Sequence, residues 1–567
     1  MKKCVALAAA AGSLFVVSAA PPPASYSILI RGGTIYDGSG GSPFVGDVAL
    51  RGDKIVYVGP HATGRAARTI DASGKAVSPG FINMLSWANE DLIADPRGMS
   101  DTYQGVTLEV MGEGDSMGPW TPEMKRLEIK RQGDIKFPIR WTSLGQYLEW
   151  LTRKGITPNV TSFVGATTVR VHELGEKDVD PSPAQLLRMR ALVRQAMKEG
   201  AVGVGSSLIY APATYAETPE LIALAQEAGR CGGMYISHMR DEGPKLLQAI
   251  DELVTISRNS GAPAEIYHYK QAGKDNWGKI DAAIARVNAA RASGQRITAD
   301  MYTYAASSTG FDAAFPTWMQ DGGLEAWVKR LKDPQLRAKA IAEMKGPQGT
   351  ENAKLVVDDP EKVLLVGFKQ AKLKALTGKT LAQVAKMRGK SSAETAADLI
   401  VEDGTRIQVV YFSMNPDNVK REVALSWMSF GSDAGSQAPE GVFLKSSTHP
   451  RAYGNVARLL GLYVRDQHAT TLQDAIRRLT ALPATNLSIR ERGSLKPGYY
   501  GDVVVFDPAT IRDNGTFERP QQLASGVEQV FINGVQVLRN GKHTGATPGQ
   551  FVRGPGWSGW PGGGACR

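Results

Sequence analysis

Short apolar runs separated by glycine-rich turns dominate both ends of the chain. Alternation of apolar and polar positions over short segments predicts strands. Such segments occur at residues 27–31, 34–36, 47–50 and 54–58, and again at 502–506, 527–532 and 535–538. The turn Arg51-Gly52-Asp53 predicts a hairpin between two of the early strands. We therefore predict one small β-sandwich domain that residues 26–77 and 485–545 build together.

The long middle of the chain, residues 78–484, alternates apolar runs with amphipathic segments of helical period. This alternation predicts βαβ units around a parallel sheet, hence the α/β class. The predicted strands end near Leu85, Gly112, Gly165, Ser207, Arg240, Lys270, Tyr304 and Asp433. Eight strand–helix units favour a (β/α)8 TIM-like barrel, and residues 310–415 are interpreted as an insertion over its mouth. A doubly wound sheet is the alternative, although no glycine-rich phosphate loop follows the first strand.

Composition changes this picture little. Of the 567 residues, 42% are hydrophobic and 22% are charged, which is typical of a soluble globular enzyme. The formal net charge of +10 is spread along the chain and weakly favours anionic ligands such as carboxylates. The sequence has no Arg-rich arm, helix-turn-helix or aromatic-basic platform, so we do not expect nucleic acid as a partner.

Residues 1–20 are typical of a signal peptide. Lys2 and Lys3 precede an apolar run at residues 5–17, and small residues at 18–20 offer a cleavage site. The run is too short for an ordinary membrane span, so we expect export, to the periplasm if the source is a Gram-negative bacterium. An uncleaved N-terminal anchor is the alternative. Cys231 and Cys566 remain after cleavage, and we expect them to have neither a disulfide nor a metal-binding role.

Two histidines and one aspartate end strands at the barrel face where active sites lie. His238 follows residues 234–237, His268 follows 264–267, and Asp433 follows 427–432. Two imidazoles and a carboxylate that converge from separate strands can hold zinc and leave a position open for water. A single strand-end histidine is more often a hydrogen-bonded structural group, but three matching positions predict a metal site.

Longer motifs surround these residues. They are YISHMRDEG at 235–243, IYHYK at 266–270, ADMYTY at 299–304, FGSD at 430–433, HPRAYG at 449–454, LPA at 482–484 and RGSL at 492–495. Together they resemble the D-aminoacylases, which are N-acyl-D-amino-acid deacylases of the amidohydrolase superfamily. The resemblance covers nearly the whole mature chain. It implies a (β/α)8 barrel with a β-sandwich built from both ends, and zinc-dependent hydrolysis of an amide bond.

The chain departs from this family after the first barrel strand. The superfamily usually carries a His-x-His metal pair there, whereas this chain has Leu85 and Trp87, neither of which can ligate a metal. D-aminoacylases also bind zinc through a cysteine after the second strand, and this chain has none there. Glu113 stands within one residue of that position, so the resemblance implies one zinc ion held by His238, His268 and Glu113.

Other interpretations of these acidic residues remain open. Asp115 is the second choice of ligand, and residues 89–91 offer further oxygen atoms less favourably. Glu113 could instead cap the next segment or pair with Arg240.

The resemblance also assigns the remaining roles. Asp433 matches the family's catalytic carboxylate, which would take a proton from the attacking water and deliver it to the departing amine. Arg451 matches the arginine that grips the substrate carboxylate, and Lys270 and Tyr302 match neighbouring substrate-pocket positions. Alternatively, Asp433 only caps its loop, and Lys270 forms a surface ion pair.

Three functions follow from these observations. The first is metal-dependent hydrolysis of the amide bond of a small N-acylated substrate, in particular an N-acyl amino acid. The second keeps the metal but changes the substrate to a cyclic amide, carbamate, lactone or dipeptide, because one barrel hosts many chemistries. The third is a metal-free, non-catalytic binding protein, which Leu85 and Trp87 favour and the retained His238, His268 and Asp433 disfavour.

Overall fold

The computed structural model describes residue 1, residues 25–346 and residues 349–566. The predicted signal peptide, apart from residue 1, lies outside the described residues. The strands are β1 Ser25–Ile35, β2 Phe44–Arg51, β3 Lys54–Gly59, β4 Arg65–Asp71, β5 Ala76–Pro79, β6 Phe81–Asn83, β7 Val106–Met111, β8 Asn159–Ser162, β9 Val164–Gly165, β10 Gly203–Ser207, β11 Met234–His238, β12 Ala264–Ile266, β13 Ile297–Met301, β14 Ser307–Gly310, β15 Val363–Gly367, β16 Gln408–Tyr411, β17 Met428–Phe430, β18 Val503–Phe506, β19 Val527–Ile532, β20 Val535–Arg539 and β21 Lys542–His543.

Most α-helices fall between the strands of the middle of the chain. They are α1 Ala88–Ala94, α2 Met99–Thr102, α3 Pro122–Arg131, α4 Leu144–Lys154, α5 Ala166–Leu174, α6 Pro183–Glu199, α7 Thr218–Arg230, α8 Leu246–Ser260, α9 Ile280–Ala292, α10 Leu324–Lys332, α11 Pro334–Lys345, α12 Glu351–Asp358, α13 Leu381–Arg388, α14 Ser392–Asp403, α15 Pro416–Val423, α16 Arg451–Arg458, α17 Leu472–Leu479 and α18 Ala481–Asn486. Ser182 caps α6 and Pro183 begins it, an arrangement that favours the start of a helix. Over the described ranges, no helix combines the length and the apolar character needed to cross a membrane.

Strands from the two ends of the chain share one sheet. It has nine strands in the order β21-β20-β19-β18-β5-β1-β2-β3, with β4 beside β1. β5 and β18 join the two ends by antiparallel pairing, in which Val77 lies opposite Val505. Ile30, Val48 and Phe531 belong to one buried cluster on this sheet. Apolar residues from both ends of the chain therefore form one core, and neither end supplies all of it.

Two parallel sheets form the middle of the chain. One has the order β17-β13-β12-β11-β10-β9 and the other β6-β7-β8. β8 and β9 are separated by one residue. At the other edge, Met84 donates a backbone hydrogen bond to Phe430, and Ser86 pairs with Ala434 in parallel. Parallel strands alternating with helices confirm the predicted α/β class.

The side chains of these parallel strands divide between two environments. Ile82, Leu108 and Ile236 belong to a buried apolar cluster in which residues of several strands meet. Neighbouring residues such as Tyr235 pack instead with the surrounding helices in the largest apolar cluster. Burial on both faces explains the nearly continuous apolar runs of the sequence. Because the strands are parallel, their carboxyl ends lie at one edge of the sheets.

Residues 307–411 form an elaboration between β13 and β17. It contains the antiparallel sheet β14-β16-β15 and the helices α10 to α14. A separate apolar cluster that includes Phe311, Trp327, Val356 and Ile400 stabilises it. Several residues of this segment face the carboxyl ends of the parallel strands and line the cavity there.

The last residues of the chain pack beside the parallel strands and end in a disulfide. Phe551 pairs with Val160, and Gly554 donates a backbone hydrogen bond to Gly200. Cys566 is bonded to Cys231, which lies 335 residues earlier at the end of α7. The expectation that these two cysteines have no role is wrong. Their separation in sequence gives no sign that the end of the chain returns to α7.

Candidate active site

Three donor side chains meet where β7, β11 and β12 end. Glu113 lies two residues after β7, His238 is the last residue of β11, and His268 lies two residues after β12 with a φ of 34°. One oxygen of Glu113 and one nitrogen of each imidazole lie within 4.8 Å of one another, and all three residues are buried. The structure therefore brings the three predicted metal ligands together.

Glu113 is shared by the two imidazoles. Its Oε1 is 3.0 Å from His238 Nδ1 and 2.9 Å from His268 Nε2. Burial raises the pKa of Glu113, but the charge of His268 and hydrogen bonds with both rings outweigh burial and lower that pKa. His238 Nε2 is buried 3.7 Å from Glu242 Oε2 and has no hydrogen-bond partner among the described residues. Two imidazoles and a carboxylate, with one buried ring nitrogen unsatisfied, form a donor set that fits zinc.

Glu242 and Lys270 support His268 from its other ring nitrogen. His268 Nδ1 is 2.7 Å from Lys270 Nζ and 3.0 Å from Glu242 Oε1, and Lys270 Nζ is 2.6 Å from that oxygen. Polar contacts at the second ring nitrogen fix the orientation of a ligating imidazole. Lys270 is 2% exposed, so the surface ion pair considered as an alternative is wrong. The pair is buried, and Lys270 also lines the cavity.

The segment after β6 carries no metal ligand but connects two carboxylates of the site by hydrogen bonds. Leu85 is fully buried, and its carbonyl accepts a hydrogen bond from the backbone of Asp433. The indole N–H of Trp87 lies 3.0 Å from Glu113 Oε2 and 3.1 Å from Asp433 Oδ1, and it donates to both carboxylates. Trp87 therefore connects a predicted ligand with the predicted catalytic carboxylate.

Asp433 and Arg451 form an ion pair beside these hydrogen bonds. Asp433 Oδ2 is 2.9 Å from Arg451 Nη2. Burial raises the pKa of Asp433, and the positive charge of Arg451 opposes that change. The Arg451 guanidinium stacks on Tyr302, with 4.4 Å between its central carbon and the ring centroid. Its Nε and Nη1 are buried and, within the described chain, have no hydrogen-bond partner, so they can receive a carboxylate.

All of these groups line one cavity of about 780 Å³. Its wall also includes the apolar side chains of Met117, Trp120 and, from residues 307–411, Leu324. A cavity of this size with a few convergent polar groups is typical of small-molecule sites.

The structure separates the alternatives for the acidic ligand. Arg240 pairs with Glu252 at 2.9 Å, so it is not the partner of Glu113. Asp115 lines the same cavity, as do residues 89–91, but these side chains do not join the two histidines in the compact donor group. Glu113 is therefore the carboxylate that the geometry favours.

Comparison with known proteins agrees with this geometry. Residues 68–538 match the Amidohydrolase family. The chain belongs to that family. This amidohydrolase is 31% identical to N-acyl-D-aspartate deacylase from Alcaligenes xylosoxydans xylosoxydans over 544 residues, which cover 94% of this chain and 95% of that protein.

Solved structures are similar over the same extent. N-acyl-D-glutamate deacylase from Bordetella bronchiseptica, complexed with zinc and a phosphonate mimic of the tetrahedral intermediate, has a TM-score of 0.75 and 27% identity. The match covers 94% of this amidohydrolase and 100% of that chain. A D-aminoacylase, described as having one-metal activation and second-metal attenuation in its binuclear centre, has a TM-score of 0.75 and 29% identity over 93% and 100% of the two chains.

Sequence reasoning missed two residues of the site in this amidohydrolase. Glu242 follows His238 by four residues within one motif, and this spacing could have suggested a supporting carboxylate. Trp87 was noted only as a residue that cannot ligate a metal. No sequence signal indicates that its N–H reaches Glu113 and Asp433.

Proposed function

We propose that this amidohydrolase deacylates N-acyl amino acids with one zinc ion held by His238, His268 and Glu113. The observation that carries the proposal is the compact buried donor group, with Asp433 and Arg451 beside it in one cavity. The names of the similar proteins, N-acyl-D-aspartate deacylase and N-acyl-D-glutamate deacylase, support this substrate class.

A single metal ion is supported by the residues after β6. Leu85 and Trp87 carry no metal-ligating atom, and the indole N–H of Trp87 already occupies one oxygen of Glu113 and one of Asp433. The similar D-aminoacylase, for which one-metal activation and second-metal attenuation are described, supports a single activating ion.

The roles of the side chains follow from their positions. When bound, zinc polarises a carbonyl group and lowers the pKa of a water nucleophile. Asp433 lines the same cavity, where its carboxylate would accept a proton from water and pass it to the departing amine nitrogen. Arg451 would hold the substrate carboxylate through Nε and Nη1, while the ring of Tyr302 stacks against the Arg451 guanidinium. Lys270 would complete the pocket beside His268 and keep Glu242 ionised.

Metal analysis tests the proposed ligands. Purified protein should hold about one zinc ion per chain, and Glu113→Gln should hold much less. Asp115→Asn is the matched control, because it removes a carboxylate from the same loop without touching the donor group. Equal zinc in parent and Glu113→Gln would contradict the ligand assignment. No bound or recoverable metal would favour the metal-free binding protein.

Release of a primary amine from N-acetyl amino acids tests the reaction. Activity should disappear with a chelator and return with zinc. Hydrolysis of lactones, carbamates or cyclic amides without hydrolysis of any N-acetyl amino acid would favour the second of the three functions.

We also propose that the two parallel sheets form one closed barrel of eight strands, counting β8 and β9 as one. The backbone contacts between Met84 and Phe430 and between Ser86 and Ala434 support closure. The barrel domain would then comprise residues 78–484, with an insertion at about 310–415. The β-sandwich domain would comprise residues 26–77 and 485–545.

We propose further that the protein is exported, with the periplasm as its destination in a Gram-negative source. The charged and apolar start of the sequence supports this, and so does the disulfide between Cys231 and Cys566, because disulfides persist in oxidising compartments. Mass spectrometry of protein from the periplasmic fraction should find a mature chain that lacks residues 1–20 or about that many. An intact N-terminus in the cytoplasmic fraction would contradict export.

A further inference from the structure

The cavity is rich in carboxyl groups although the protein as a whole is basic. The chain has a net charge of +10. Among the described residues, ten Asp and Glu side chains line the cavity but only four Lys and Arg side chains do so. The excess of carboxylates is therefore a local property of this cavity, not a consequence of composition.

Each of the four cationic side chains already has a carboxylate partner. The pairs are Arg131 with Glu176 at 2.8 Å, Lys270 with Glu242 at 2.6 Å, Arg406 with Asp312 at 3.1 Å, and Arg451 with Asp433 at 2.9 Å. Six carboxyl groups are left, and Glu113 belongs to the proposed metal site. Among the described residues, no lysine or arginine of the cavity wall forms an ion pair with the other five.

Three of those five form what we call the acid wall, namely Glu90, Asp115 and Glu128. Asp115 lies on the same loop as Glu113, two residues further along, and Glu90 lies on α1, three residues after Trp87. Glu128 lies on α3 and is close enough to Glu90 to help raise its pKa, which burial as the main cause brings to about 8. For the residues the structure describes, none of the three carboxylates takes part in a hydrogen bond or ion pair with protein. Through Asp115, the acid wall adjoins the loop that carries the proposed metal ligand Glu113.

A second polar group near this wall also lacks a partner. Thr167 is buried and lines the cavity, and its Oγ1 has no hydrogen-bond partner in the described part of the chain. Its backbone N–H donates to Gly114, directly before Asp115. Buried polar atoms are rarely left unsatisfied in folded proteins. Thr167 and the acid wall together thus offer acceptors for the same bound group.

We propose that the acid wall binds a cationic group of the substrate, an ammonium or guanidinium, while Arg451 holds the substrate carboxylate. The inference rests on the proposed function and names its substrate class. The positive charge can come from the basic side chain of an N-acyl-lysine or N-acyl-arginine, or from the free α-amine of a dipeptide. Charge complementarity favours both over the acidic substrates for which two of the similar proteins are named.

Matched substrates distinguish the two sources of charge. N-acetyl-lysine and N-acetyl-norleucine differ only by the terminal ammonium of the side chain. Glycyl-norleucine and N-acetyl-norleucine differ by an α-amine on the acyl group. The substrates are racemic, so that hydrolysis is detected whichever enantiomer the protein accepts. The protein is the zinc-loaded full chain. For at least one cationic substrate we expect kcat/KM to exceed that of its neutral partner by about tenfold, the effect of one charge-assisted hydrogen bond.

Variants locate the charge preference on the acid wall. Glu90→Gln, Asp115→Asn and Glu128→Gln should each lower the ratio of cationic to neutral kcat/KM about three- to tenfold, mainly through KM. Glu123→Gln is the matched control, because Glu123 lies on the same helix α3 but is exposed and pairs with Arg126. It should leave that ratio unchanged.

Direct binding keeps the inference testable even if no substrate is hydrolysed. Calorimetric titration should then show N-acetyl-lysine or glycyl-norleucine binding about tenfold tighter than N-acetyl-norleucine, and the wall variants should abolish the difference. Hydrolysis of neutral substrates without a preference for charge in either assay would overturn the acid wall but leave the deacylase function intact. No hydrolysis, with one of the cationic compounds still preferred in binding, would overturn the deacylase function and support the wall. No preference in binding and no hydrolysis would overturn both.

Discussion

Trp87→Phe should weaken metal binding although Trp87 is not a ligand. The substitution keeps an aromatic ring but removes the N–H that donates to Glu113 Oε2 at 3.0 Å and to Asp433 Oδ1 at 3.1 Å. Each hydrogen bond to an ionised group contributes about 1.5–3 kcal/mol. Trp87 is 38% exposed, so water replaces part of this loss. We therefore expect about a 10- to 100-fold loss of zinc affinity, or about 1.4–2.7 kcal/mol, which is usual for groups that orient a metal ligand.

The assay is competition for zinc between the protein and a chromophoric chelator. Trp318→Phe is the matched control, because Trp318 donates to Glu343 at 2.7 Å, an equivalent indole–carboxylate bond in the segment at residues 307–411. It should leave zinc affinity unchanged. Thermal unfolding of the metal-free proteins checks that both variants fold. If Trp87→Phe binds zinc within about threefold of the parent, the indole does not orient Glu113 and the reasoning is refuted.

Three further predictions concern stability. Glu242→Gln leaves the buried ammonium of Lys270 without its carboxylate and should lower the free energy of unfolding by about 3–5 kcal/mol, measured in urea; a loss below about 1 kcal/mol would contradict a buried pair. Burial raises the pKa of Glu422 from 4.5 to about 8. The folded protein therefore keeps this carboxyl protonated while the unfolded chain ionises it, and the free energy of unfolding falls as pH rises from 4.5 to about 8. Glu422→Gln should therefore raise Tm more at pH 8 than at pH 5, and equal gains at both pH values would be inconsistent with this shift. Cys566→Ser removes the crosslink to Cys231 and should lower stability by about 2–4 kcal/mol; a reductant should lower the Tm of the parent but not of the variant.

The fold was predictable where local patterns determine it. Strand ends near His238 and Asp433 follow from apolar runs of limited length, and the α/β class follows from their alternation with helices. The disulfide was not predictable. Its formation depends on the path of the last residues, which return to α7 through backbone contacts of Phe551 and Gly554 that no periodicity reveals.

The candidate site was predictable to a different degree. His238 and His268 stand in recognisable motifs, and Glu113 stands within one residue of the position of the family's cysteine, so the sequence was enough to predict that they meet. The double hydrogen bond of Trp87 and the burial of Lys270 depend on the packing of side chains from strands far apart in sequence. Such packing is set by the tertiary fold and leaves no local signal.

The sheet shared by both ends of the chain has a consequence for the order of folding. β5 ends at Pro79, whereas its neighbour β18 begins at Val503. The strands of the two parallel sheets in the middle of the chain are synthesised between these two, so β5 cannot pair with β18 until the chain is nearly complete. Contacts of such long sequence separation form slowly. In a fragment that stops before β18, β5 can pair only with β1 and its other side stays open, and we expect such a fragment to aggregate rather than reach a soluble folded state.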